Sequence, residues 1–224
     1  MVKQPDKMHL LGYFVLSVII NSLGNALTVS INLGSALWTA ASVNLAQTTP
    51  VSLSWWLFLS GAIVILTNII ILHHFQTKRI IGNLIFMVPF ASLVGIFAHF
   101  LVRWGITSLP LSLRVFLDCL GVVLIAVAIS LYQRVNWMLH PVDDLMQIIR
   151  FRFFKGNSTV AQLVTFTPPL IVIFVIFGLT HHLYAINIGT VFALLFQGTL
   201  VGLADQIIFP SLKHQNIADI PQVK

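Results

Sequence analysis

The chain has 224 residues, of which 58% are hydrophobic and only 8% charged, with twelve Lys and Arg against six acidic residues, all of them Asp. A soluble domain carries about 25% charged residues, and with so few a folded surface cannot be covered by polar groups, so water is excluded as the solvent for most of this chain. The formal charge of +6 would point to nucleic acid in a soluble protein; here the basic residues sit in short loops, where they serve orientation and anionic headgroups, and no nucleic-acid partner is expected.

A spanning helix needs roughly 20 mainly apolar residues. Six such runs are predicted, over 9–31, 54–74, 80–102, 112–134, 158–180 and 184–208. The first is longer than the apolar region of a signal peptide, about 7–15 residues, and it contains Asn21 and Asn25, so it reads as a retained crossing. A break follows, Asn32-Leu33-Gly34-Ser35-Ala36-Leu37-Trp38, then a short apolar stretch to Ala46 with no charge at all. That segment is either an interfacial helix or a re-entrant one, since irregular backbone at membrane depth survives only where protein buries it or water lines it. The second crossing contains Asn68 and ends at His73-His74; the third contains His99. The fourth carries Asp118 and Cys119, the single cysteine, which excludes an intrachain disulfide and reads as a packing residue. A second break runs from Asn136 to Asn157. It predicts a short helix, with Pro141 at its first position, Asp143 and Asp144 in its first turn and Arg150, Arg152 and Lys155 toward its end. This helix lies on anionic lipid or turns Asn136, His140, Asp143 and Asp144 toward a vestibule, and the two can hold together, with the caps at one end and lipid contact at the other. The last crossing carries Asp205 near its end.

Lys3, Lys7, Lys78, Arg79, Arg134, Arg150, Arg152, Lys155, Lys213 and Lys224 all fall on one side of these crossings, and only Arg103 and Arg114 on the other. The positive-inside rule puts the former side, with both termini, in the cytoplasm.

Residues 82–101 align with 189–208 at a constant offset, matching Gly82 to Gly189 and Ser92-Leu93-Val94-Gly95 to Thr199-Leu200-Val201-Gly202. A weaker alignment places Gly24-Asn25-Ala26-Leu27 on Ala128-Ile129-Ser130-Leu131 and Asn32 on Asn136. Each half then reads long helix, break, short segment, long helix, long helix. Three crossings per half give the halves opposite orientations. The expected fold is an all-α membrane protein, a single membrane domain of two inverted three-helix repeats over about 9–103 and 112–208, with short tails at 1–8 and 209–224. Inverted repeats recur in secondary transporters, although channels and other membrane proteins use them too.

The set Leu23-Gly24-Asn25-Ala26-Leu27, Leu33-Gly34 and Trp38, followed by Asn136, Pro141-Val142-Asp143 and Leu145-Met146, resembles the YczE/YitT-type family of bacterial multi-pass membrane proteins, its YczE branch above all, over about residues 10–212. In that pattern an Asp follows the Trp, and here the position is Thr39. The resemblance implies a bacterial plasma (inner) membrane protein and supplies no substrate.

Ionisable groups within a membrane are costly and usually functional. Asp118 lies four residues after Arg114 on one helix face, so the two form a local pair or a proton- or cation-coupling site. Asn32, Trp38, Asn136, His140, Asp143 and Asp144 are the expected solute contacts at the breaks. No enzymatic motif, phosphate-binding loop or metal-ligand spacing is present, so neither catalysis nor a cofactor or metal is expected. The expected function is transport or permeation of a small solute, with proton coupling as an option. The alternatives are an accessory protein that binds a partner complex, and the substrate-binding membrane subunit of a transporter driven by a separate ATPase. Membrane lipid is a partner in every case, and a protein partner or a second copy of the chain is compatible with each.

Overall fold

The computed structural model describes residues 6–34 and 36–215, without the side chains of residues 53 and 54. Lys3, Ser35 and Lys224, used in the readings above, lie outside the described residues. Among the described residues the chain is helical: α1 Lys7–Ile31, α2 Leu37–Thr48, α3 Leu53–Leu72, α4 Thr77–Arg103, a 3₁₀ turn Ile106–Ser108, α5 Leu111–Val135, α6 Pro141–Arg152, α7 Ser158–Thr180 and α8 Ile188–Ile207. All of these but α2, α6 and the 3₁₀ turn are long and apolar enough to cross a membrane. This is a multi-pass membrane protein. The apolar surface of α3 and α4 stays largely outside the fold, with Ile63, Leu66, Ile70, Val88 and Ile96 exposed to lipid.

α1 and α5 cross at the centre of the bundle. They approach so closely that a Cβ on Gly24 would come within 2.7 Å of the Gly121 carbonyl oxygen, and one on Gly121 within 2.9 Å of that of Gly24. Small residues permit this contact, where van der Waals packing replaces a hydrophobic driving force. Around this axis the neighbour relations recur in both halves. α1 packs on α4 as α5 packs on α8, α2 on α3 as α6 on α7, and α2 reaches α7 as α6 reaches α3. The helix ends match as well. Asn32 and Asn136, which follow α1 and α5, adopt the same left-handed conformation, with φ/ψ of 55°/40° and 53°/42°. His73 and His181 do the same after α3 and α7. Left-handed caps close helix C-termini, and Asn tolerates the conformation better than most residues. Two relations do not recur: α7 packs on α8, whereas α3 and α4 barely touch, and α5 meets α6, whereas α1 and α2 barely do.

Neither short helix lies on the surface. In α2, Leu37, Ala40, Ala41, Ser42 and Asn44 are buried, and in α6 nearly every residue from Asp144 to Arg150 is. The polar groups of α6 are held by partners inside the bundle, Asp144 by Arg79, Gln147 by the Gln133 carbonyl and Arg150 by Asp205. The basic residues also behave differently from the loop charges the sequence suggests. Arg134 belongs to the last turn of α5 and is 1% exposed. It donates to the carbonyls of Phe209 and Leu212 and, with Arg150 and His214, surrounds Asp205. This cluster pins the segment after α8 to the end of α5.

Candidate functional site

A cavity of about 110 Å³ lies in the middle of the bundle. Both halves line it: Asn21 and Asn25 from α1, Trp38 and Thr39 from α2, Phe90 from α4, His140 and Asp143 at the start of α6, Gln162 and Phe166 from α7, and Gln197 from α8. Asp143 is the only carboxylate among the lining residues, and no Lys or Arg is among them. Its position follows from local rules. Pro141 occupies the first turn of α6, where its missing N–H is no loss, and Asp143 sits at the same helix N-terminus, where negative charge is favoured. The Tyr132 hydroxyl donates to Asp143 Oδ2 at 2.5 Å, and Gln133 Nε2 donates to the Asp143 carbonyl at 2.8 Å. His140 Nδ1 stands 3.9 Å from Asp143 Oδ2, with its ring edge-on to Phe90.

Burial pushes the Asp143 carboxyl up to about 7, the neighbouring Asp144 adding to the rise and the Tyr132 hydrogen bond opposing it. Burial lowers His140 to about 4. At neutral pH the cavity therefore holds a carboxyl poised between its two forms beside a neutral imidazole. The amides add a bias of their own. Asn25 Nδ2 donates to both the carbonyl and Oδ1 of Asn21, which leaves Asn25 Oδ1 without a protein donor. Gln162 Oε1 and Trp38 Nε1 are buried and have no partner.

Two further spaces flank this cavity. A void of about 10 Å³, room for about one water, lies beside Asp118, Thr28, Gly34 and Gly189 and shares Ala36, Ile125 and Gln197 with the central cavity. Toward the Lys/Arg-rich end, a larger pocket of about 780 Å³ is bordered by His74, Lys78, Asn83, Asn136, Trp137 and Leu139, the last adjacent in sequence to His140.

Of the residues singled out by sequence, the fold brings Trp38, His140 and Asp143 together in the central cavity. Asn136 borders the larger pocket instead and donates to the Gln215 carbonyl at 2.9 Å. Asn32 is an exposed helix cap away from the cavity. Asp144 is fully buried and points elsewhere, into an ion pair with Arg79. The local Arg114–Asp118 pair does not form: Arg114 Nη2 donates to the Ile31 carbonyl at 2.6 Å, closing the end of α1, where helical carbonyls lack internal partners. Gln162 and Gln197 are cavity residues whose weight the sequence reading missed. Their signal was present, as an amide inside a spanning run with no other reason to be polar.

The chain from the first turn of α1 to the last turn of α8, residues 8–206, matches the model of a family described as of unknown function, DUF6198. The protein belongs to DUF6198. No curated protein and no solved structure matches it.

Two fully buried carboxylates of this DUF6198 protein, Asp144 and Asp118, mark equivalent junctions. After α5, the chain lies against the start of α4, where a Cβ on Gly82 would stand 3.3 Å from the Trp137 carbonyl. Asp144 fills that junction, accepting from Arg79 Nε at 2.7 Å, Asn83 Nδ2 at 2.9 Å and Asn68 Nδ2 at 3.3 Å. After α1, the chain lies against the start of α8, where the Gly189 N–H donates to the Leu33 carbonyl at 3.0 Å. Asp118 fills that junction, its carboxylate in the space a Cβ on Gly189 would need. Neither of its oxygens has a hydrogen-bond partner among the described residues.

Proposed function

We propose that this protein carries a small polar solute across the membrane, and that the cavity between its halves is the solute site. The observation behind this reading is a cavity within the bundle, lined from both halves by amides, an imidazole and a single carboxylate, with Gln162 Oε1 and Trp38 Nε1 left without partners. The recurrence of the same neighbour relations around α1 and α5 supports two inverted repeats, the plan in which solute sites form at the repeat interface. Asp118, without Arg114, is the candidate for coupling a proton or cation, because an uncompensated carboxylate in the bundle invites a compensating charge. The Lys/Arg-rich end faces the cytoplasm of a bacterial cell in this reading, and kinship with the YczE/YitT-type proteins is part of the same proposal.

Thermal stabilisation of the detergent-purified protein by a panel of small metabolites tests the site. A solute that binds only the folded state stabilises it by about 2.7 kcal/mol at a hundredfold excess over its Kd. A ligand whose effect disappears in Gln162→Leu is expected, followed by its uptake into proteoliposomes. A ligand that binds there and never enters the vesicles would overturn transport and favour an accessory role.

A further inference from the structure

We propose that the solute of the central cavity is a small organic cation, an amine or quaternary ammonium, with the Asp143 carboxylate as its counter-charge and the rings of Trp38, Phe90 and Phe166 as its walls. This inference rests on the solute-site reading above and deepens it to a chemical class.

The first argument is charge. Among the described residues Asp143 is the only charged group bordering the cavity once His140 is neutral, and no Lys or Arg stands within ion-pair distance of it. Asp144, by contrast, is locked to Arg79, and Asp205 to Arg134 and Arg150. Asp143 holds only the Tyr132 hydroxyl, a neutral donor that orients the carboxylate without cancelling its charge. A buried anion without a cation is compensated when a ligand supplies one.

The second argument is the wall. Trp38, Phe90 and Phe166 line the cavity, and a desolvated ammonium is attracted to aromatic rings. Free Oδ1 of Asn25 and Oε1 of Gln162 supply acceptors for N–H groups of the ligand. An anion finds no cationic group here. The cavity volume of about 110 Å³ limits the ligand to a handful of heavy atoms. Asp118 borders the neighbouring void and is likewise unpaired among the described residues, so the two spaces carry two carboxylates and no Lys or Arg.

Protonation of Asp143 should compete with the ligand. The titratable groups facing it are Tyr132 of α5, His140 before α6 and Asp144 beside it, the last already paired with Arg79 of α4. No titratable side chain of α1, α2, α4, α7 or α8 lines the cavity.

The test is equilibrium binding to the full-length purified protein at about pH 5.5 and about pH 8.5, either side of the Asp143 value of about 7. The probes are methylammonium, ethanolamine and choline, against neutral acetamide and urea and anionic acetate. Cations alone should bind, more weakly by about tenfold or more at the lower pH. Asp143→Asn keeps the shape and the Tyr132 contact, and should weaken cation binding about 30-fold, the loss typical of removing one partner of a buried charge pair. If Asn disturbs folding, charge selectivity and pH dependence in the unaltered protein still decide. Binding of acetamide or urea in preference to cations, or cation binding indifferent to pH and to Asp143→Asn, would overturn the class and leave a solute site standing. Cation binding without uptake into proteoliposomes would leave the class standing and overturn transport.

Discussion

At the end of α5 the chain folds back onto the start of α4, and at the end of α1 it folds back in the same way onto the start of α8. The first junction encloses Asp144 with Arg79, Asn68 and Asn83, and Arg79 reaches on to Gln147, whose own amide donates to the Gln133 carbonyl. The second encloses Asp118 with two glycines, a threonine and a void. One backbone plan thus carries opposite chemistry. A fully satisfied carboxylate rigidifies its junction, and an unsatisfied one leaves its junction able to take up a charge. The looser junction is the one that shares Ala36, Ile125 and Gln197 with the wall of the central cavity.

Removing Arg79 tests the contrast most severely. Arg79→Met leaves Asp144 buried and uncompensated, which should destabilise the protein by about 3–5 kcal/mol. Asp118→Asn removes a charge that no partner compensates, and should leave stability unchanged or raise it. Denaturing-detergent titrations of both variants give the comparison directly. Equal losses would mean that Asp118 has structural partners and that the junctions do not differ in kind.

The glycines sharpen the same contrast on a smaller scale. A Cβ at Gly189 collides with the Asp118 carboxylate, whereas one at Gly82 meets neighbours at 3.3 Å that need yield only slightly. Gly189→Ala should therefore cost about 1–3 kcal/mol and Gly82→Ala less. In an Asp118→Ala background the penalty of Gly189→Ala should largely vanish, a coupling that a double-mutant cycle reads out. An unchanged penalty would place the obstruction elsewhere at the head of α8.

The sequence carried the helices because spanning a bilayer demands long apolar runs, so the six predicted crossings fall within a few residues of α1, α3, α4, α5, α7 and α8. It carried α6 through Pro141 and the paired aspartates, and it aligned Asn32 with Asn136, which share one cap conformation. What it hid was partner choice. Arg114 shares a face with Asp118, yet the open carbonyl at the end of α1 takes it. Arg134 looks like a loop charge until the segment after α8 folds back over it. Asp143 and Asp144 are adjacent letters with the same local propensity, and only the packing of α6 sends one to Arg79 and the other to the cavity. Periodicity fixes a helix; the identity of what it faces is a long-range fact.

The weakest expected effect separates Asp143 from His140. The folded state holds Asp143 at about 7 against an ordinary 3.8, so between these values it retains a proton that the unfolded chain releases, and stability falls as pH rises toward 7. His140 sits at about 4 against an ordinary 6.5, so the unfolded chain binds the extra proton and stability rises with pH over that range. From about pH 4 to 6.5 the two slopes oppose each other, and melting temperature should be nearly flat apart from the other groups. Asp143→Asn unmasks the histidine, and its melting temperature should climb across the window. His140→Gln unmasks the carboxyl, and its melting temperature should decline as pH approaches 7. Parallel melting profiles in the two variants would show that these groups do not titrate against burial in the cavity. Opposite slopes would mark Asp143 as the carboxylate that fills and empties, beside an Asp144 held in its ion pair with Arg79.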